Sequence, residues 1–245
     1  MFASLAVLAS FLVSQAVAHG GVTSYIIGGT TYPGWQPYNS ANGQRSIGRP
    51  YSSYDPILSV SAGSFSCNNN GQASSGQLSA TVPAGTAITA KWSQWTHAQG
   101  PVMVYMAKCN GACTSNNSNS LRWFKIAETG LISGTCPTAG GERVKSWTLF
   151  RTPPPSRLPS RLASTSSAHH ELLALHQANT PQFYPECGQL IVTGGGGKTP
   201  PANYLVSFPG GYGANDPGVR VDIYSQAAQT TTTYTVPGPA VWNGQ

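Results

Sequence analysis

Residues 91–109 read KWSQWTHAQGPVMVYMAKC. One apolar run closes at Trp92, a polar loop carries His97 and the turn pair Gly100-Pro101, and a second run opens at Val102. Short runs bearing Val, Met and Tyr and bounded by Gly and Pro favour strand over helix. The pattern repeats outward, with strand-like runs at 22–27, 78–82, 87–92, 102–107, 121–126, 190–193 and 219–224. The last alternates, placing Val219, Val221 and Ile223 on one face and Arg220, Asp222 and Tyr224 on the other. SCNNNGQASSG, CTSNNSNS and TGGGGKTPPAN, which lie between runs, are loop chemistry. Many short strands with such turns predict an all-β sandwich or barrel. Helix is scarce, ELLALH at 171–176 reads as strand or short turn, and there is no internal repeat.

Only 8% of the 245 residues are charged, while Gly (28) and Pro (19) are plentiful, as in turn-rich secreted β proteins. The formal charge of +6 marks no nucleic-acid surface, because Arg151, Arg157 and Arg161 cluster in one stretch and the other basic residues are scattered. Residues 2–18 are uncharged, and their apolar run at 5–13 is about half of the roughly 20 residues a bilayer span needs. Ala16-Val17-Ala18 supplies the small-x-small pattern that signal peptidase accepts. A secretory signal over 1–18 is therefore expected, and no later segment spans a membrane. His19 then opens a single domain over 19–245, whose short extended tail leads to no separate carbohydrate-binding module.

Five cysteines in a secreted chain predict disulfides and leave one thiol over. Cys109 and Cys113 could close a small loop. A Cys67–Cys187 bridge would close about 120 residues and stabilise by about 4–5 kcal/mol in the chain-entropy model. Cys136 is the natural orphan. Zinc at Cys109 and Cys113 would need a second ligand pair that the spacing does not supply. Asn116-Asn117-Ser118 is a sequon in a polar loop, and glycosylation is expected at Asn116. FRTPPPSRLPSRLASTSSA, residues 150–168, packs in four of the 19 prolines and three of the 13 basic residues. It reads as a disordered surface insertion or a stretch translated out of frame, and is not expected to pair as a central strand.

The chemistry lies in scattered polar residues. His97 sits in the loop between two strands, and QFYPEC sets Gln182 and Tyr184 on one side of an extended chain. A mature N-terminal His19 can bind metal through its amine and ring Nδ1, and a second imidazole supplies a third nitrogen. Three nitrogens in a T suit copper better than zinc, and Tyr184 could fill a long axial position.

AHGGV at the cleavage site, HAQGPVMVYMAKCNGAC, LRWFKIAETGLISGT, HELLALHQANTPQFYPECGQL, FPGGYGANDPGVRVDIY and YTVPGPAVW occur in this order. With them the chain resembles the fungal lytic polysaccharide monooxygenases of auxiliary activity family nine. The resemblance implies a catalytic immunoglobulin- or fibronectin-like β-sandwich with long loops and a flat face around one type 2 copper. It puts His19 and His97 in the copper site with Tyr184 axial, and gives Gln182 and His170 hydrogen bonds to the oxygen species. It also implies Cys67–Cys187 and Cys109–Cys113 as the disulfides. The activity implied is hydroxylation of β-1,4-glucan (cellulose) at carbon 1 or carbon 4, using O2 or H2O2 and an external electron donor, by a secreted monomer. Exposed aromatics would stack on sugar, with Tyr212 in PGGYG first and Tyr25 second. The family's Arg-His-Glu ahead of LLALH is here Ala168-His169-His170-Glu171. The alternatives are a non-catalytic carbohydrate- or copper-binding protein, or a hydrolase. The latter needs two carboxylates, for which Glu171 and Glu186 are the nearest approach.

Overall fold

The structure is a computed structural model that describes residues 19–93, 95, 97, 99–131, 156–157 and 164–244. Its first hairpin follows from local chemistry. β1 (Val22–Ile27) and β2 (Thr30–Pro33) pair antiparallel with Ile27 opposite Thr30. Gly28 and Gly29 make the turn with φ of 56° and 86°, the primed geometry that matches strand twist and that glycine adopts without steric cost.

The strands that follow are β3 (Ala80–Pro83), β4 (Ala87–Trp92), β5 (Val102–Lys108), β6 (Trp123–Thr129), β7 (Ser156–Arg157), β8 (Ser164–Ala174) and β9 (Gln182–Thr193). They form two sheets, ordered β2-β1-β4-β7 and β3-β9-β8-β5-β6. Only β3 and β9 pair parallel among the named strands. Helix among the described residues is confined to α1 (Gln226–Thr230) and three short 3-10 turns. The expected all-β sandwich is what forms.

The five-stranded sheet is buried on both faces at its centre, which is why β5 reads as an unbroken apolar run. Met106 of β5 packs with Tyr25, Ile27, Ile88 and Ala90 of the other sheet. Its neighbours Met103 and Tyr105 point the opposite way, against Phe65, Phe208, Tyr212 and Ile223 from long loops. This second core is built from loop residues rather than a third sheet.

Two strand expectations need correction. Residues 219–224 are not a strand. Val219 and Ile223 are buried as the alternation requires. However, Val219 N and Arg220 N both donate to Asp216 O, at 2.8 and 2.9 Å, and wind the backbone into a turn. The period reported burial correctly and hydrogen bonding wrongly. The second correction concerns 150–168: Ser164–Ala168 does form a central strand. Ser167 stands opposite Ala107 of β5 and Gln189 of β9, and Ala168 opposite Met106 and Gly188. These five residues contain no proline, so the composition of the whole stretch concealed a strand-competent end. Ser156 and Arg157 pair with Ile88 and Ala87 at the edge of the smaller sheet. The remainder of 150–168, residues 1–18 with their expected secretory signal, and Cys136 lie outside the described residues.

Candidate metal centre

One end of the sandwich gathers the polar residues. Tyr184 and Gln182 stand two apart on β9, so their side chains share a face. Tyr184 Oη donates to Gln182 Oε1 at 3.1 Å and lies 3.5 Å from His97 Nε2. His97 belongs to the β4–β5 loop, which Gly100 lets press onto the end of β8. A Cβ at Gly100 would sit 1.6 Å from Leu173 O, and φ there is +136°. Leu175 N then donates to Gln99 O at 2.9 Å, closing the loop against the strand end. His19 arrives from the other side, where Ser93 N donates to Gly21 O at 3.0 Å.

The rings of His19, His97 and Tyr184 form a triangle, with centroids 5.8, 5.9 and 6.2 Å apart. Trp95 closes its inner side, edge-on to His97 at 5.2 Å and to Tyr184 at 4.9 Å. Burial, then the neighbouring His176 and His19, lower the His97 pKa to about 4, so its imidazole is neutral near pH 7 with a lone pair to give. Burial, then the Asp55 charge, raise the Tyr184 phenol above its ordinary value.

A histidine missed in the sequence completes the group. His176 stacks flat on His97, with centroids 4.0 Å apart and planes 7° apart. His170, expected here, is elsewhere. It pairs across β9 with Glu186 and packs on Tyr25 at 5.7 Å, inside the sandwich. Four residues separate it from Ala174, which faces Gln182, so it lies ~13 Å deeper at about 3.3 Å per strand residue. The antiparallel register was the missing signal, because the end of β8 must meet the start of β9.

The two expected sugar-stacking residues are also corrected. Tyr212 is 5% exposed and its hydroxyl donates to Tyr105 Oη at 2.8 Å; Tyr25 is 2% exposed in β1. The glycines of PGGYG fold Tyr212 into the loop-covered core instead of presenting it. Other tyrosines are exposed around the triangle. Tyr38, 69% exposed, meets Tyr54 edge-on at 5.1 Å, and Tyr224, 46% exposed, donates to His176 O at 2.8 Å. Tyr224 was legible as the polar face of the 219–224 alternation.

Elsewhere, Cys67–Cys187 and Cys109–Cys113 are disulfides, each with Cα atoms 5.2 Å apart. Asn116 Nδ2 donates to Asn110 O at 3.0 Å and Ala112 O at 2.7 Å, so a glycan there has to displace one of these bonds. Glu171 and Glu186 are both buried and point to opposite faces of the sheet, which makes no hydrolytic pair. No three His, Cys, Asp or Glu side chains form a metal cage among the described residues. His97 and His176 do not form a chelating pair, because stacked parallel rings do not aim their nitrogens at one point.

Comparison with known proteins identifies the class. The profile of Auxiliary Activity family 9 (formerly GH61) matches residues 19–234. The chain is 52% identical to AA9 family lytic polysaccharide monooxygenase B of Heterobasidion irregulare, over 96% of each protein. It is 45% identical to the AA9 family lytic polysaccharide monooxygenase-like protein CEL1 of Agaricus bisporus, over 99% of this chain and 76% of that one. The fold superposes on the crystal structure of a cellulose-active polysaccharide monooxygenase from M. thermophila with a TM-score of 0.82. That match is 38% identical and covers 93% of this chain and 100% of that one. The chain belongs to Auxiliary Activity family 9, the lytic polysaccharide monooxygenases, enzymes that cleave polysaccharides oxidatively.

Proposed function

We propose that this chain is a secreted, copper-dependent monooxygenase of β-1,4-glucan, with its metal held by His19 and His97. Removal of residues 1–18 would free the His19 amine, which with His19 Nδ1 and a His97 ring nitrogen makes the three-nitrogen set that copper favours. The observation that carries this reading is the triangle of His19, His97 and Tyr184, within 6.2 Å of one another at one end of the sandwich. Bound copper would supply one-electron chemistry linking an external reductant and O2 or H2O2 to hydroxylation of a glucan carbon. The chain supplies everything around it. Tyr184 would offer a phenol beside these nitrogens. Its bond to Gln182 Oε1 orients that amide, leaving Nε2 free to donate toward the reacting oxygen. His176 supports the His97 ring and adds a second polar edge.

Tyr38, Tyr54 and Tyr224 flank the triangle and suit stacking on sugar rings. The cellulose activity of the M. thermophila relative supports cellulose as the substrate, attacked at carbon 1 or carbon 4. The mature, copper-loaded protein incubated with cellulose and ascorbate should release oligosaccharides carrying an oxidised end, detected by mass spectrometry. Unoxidised sugars alone, or equal release without copper or reductant, would overturn the reading.

A further inference from the structure

Loop 49–57 runs along the edge of β9 beside the triangle. Arg49 N donates to Cys187 O at 2.8 Å, and Ile57 and Phe183 exchange two backbone bonds of 2.9 Å. Phe183 immediately precedes Tyr184, so this exchange brings Asp55 beside His19. Pro56 fixes its own φ, and Ser53 Oγ both donates to Asp55 Oδ2 at 2.7 Å and accepts from Asp55 N at 3.2 Å. One oxygen is thereby occupied. The other, Oδ1, lies 3.8 Å from His19 Nδ1, the nitrogen that would bind the metal. Among the described residues no other carboxylate comes within ion-pair distance of His19 or His97.

A bond made for folding would not look like this. The Asp55 side chain is 78% exposed and the separation is at the limit of pairing, so its contribution to stability is small. Its place beside the metal-binding nitrogen is what calls for a role. We propose that Asp55 is an electrostatic positioning residue of the metal centre, a carboxylate outside the ligand set that favours the more highly charged oxidation state. This rests on the copper reading above. A negative charge attracts Cu(II) more than Cu(I) by one unit of charge. At a few ångströms across a wet surface that is about three- to tenfold in the ratio of the two affinities. Asp55 thus holds the resting centre oxidised and makes uptake of the reductant's electron less favourable.

The test is Asp55→Asn, which can keep the Ser53 bond, compared with Asp55→Glu and wild type as mature proteins. Cu(II) affinity is measured by calorimetry, Cu(I) affinity by competition with a chromogenic chelator, and the potential by redox titration. Asp55→Asn should weaken Cu(II) binding about three- to tenfold more than it weakens Cu(I) binding. The potential should rise by up to ~59 mV, the one-electron equivalent of tenfold. Asp55→Glu should restore most of the difference. The shift should shrink at ~1 M salt, where the Debye length is about 3 Å. Unchanged affinities and potential at low salt would overturn the proposal, as would equal loss of both affinities. A change of copper EPR spectrum to a different ligand set would also overturn it, by making Asp55 a ligand. If wild type binds no copper, the copper reading falls and this proposal with it; if only the difference between variants is missing, the copper reading stands.

Discussion

At the scale of single residues, orientation at the candidate site rests on the flat contact between His176 and His97, 4.0 Å apart. His176→Phe keeps that ring and removes both nitrogens. Copper affinity should stay within a few-fold while the rate of oxidised-product formation drops about 10–100-fold. His170→Leu should leave both near wild type, since His170 packs on Tyr25 inside the sandwich. Calorimetry and product assays on the two variants decide between them, and equal losses would contradict the register argument. His97→Ala should abolish tight copper binding, whereas Tyr184→Phe should retain the metal and alter mainly the EPR spectrum and rate, because the phenol lies outside the proposed three-nitrogen set. Loss of copper from both alike would refute these roles. His19, His97, Gln182 and Tyr184 were legible because each lies in a local pattern: a cleavage signal, a Gly-Pro loop, a Gln-x-Tyr step. His170 and His176 stand in one apolar stretch, and only strand pairing, a long-range property, tells them apart.

At the scale of the element, β8 is a strand under electrostatic load. His169 Nε2 and Glu171 Oε2 meet at 2.8 Å, both fully buried on the loop-covered face. His170 points the opposite way, and neither of its ring nitrogens has a hydrogen-bond partner among the described residues. Burial, then the neighbouring His169, lower its pKa to about 3 from an ordinary 6.5. Above pH 6.5 both folded and unfolded chains hold this ring neutral, and its contribution is fully present. As pH falls from 6.5 toward about 3 the unfolded chain takes up a proton that the folded chain refuses, so stability is lost. The loss is of order several kcal/mol at its limit. Melting temperature should therefore fall steeply over that window, and His170→Leu should flatten the slope; an unchanged slope would place the acid sensitivity elsewhere. The apolar half of β8, the start of ELLALH, was ambiguous in sequence, and its Ser/Thr half was read as unable to pair. Burial between β5 and β9 overrode weak local preference in both halves.

At the scale of the molecule, the sandwich was legible because short strand-like runs such as β5 recur between Gly- and Pro-rich turns. The loop-built second core was not, because Phe65, Phe208 and Tyr212 come from turn-rich segments with no strand period. What holds those loops is a testable matter of chain entropy. Cys67–Cys187 joins positions 120 residues apart and ties the loop bearing Phe65 to β9, whereas Cys109–Cys113 spans four. The chain-entropy model assigns about 4–5 kcal/mol to the long bridge and about 2 kcal/mol to the short one. For a domain of this size, ~2–4 °C per kcal/mol converts the first into a fall of roughly 8–20 °C. Scanning calorimetry of a Cys67→Ser/Cys187→Ser variant should therefore show a much larger drop than Cys109→Ser/Cys113→Ser. The long-bridge variant should also lose copper affinity as it melts, because loop 49–57, which brings Asp55 to His19, is anchored on β9 next to Cys187. Equal drops in the two variants would mean that local packing around each bridge, rather than the length of chain it closes, sets its worth.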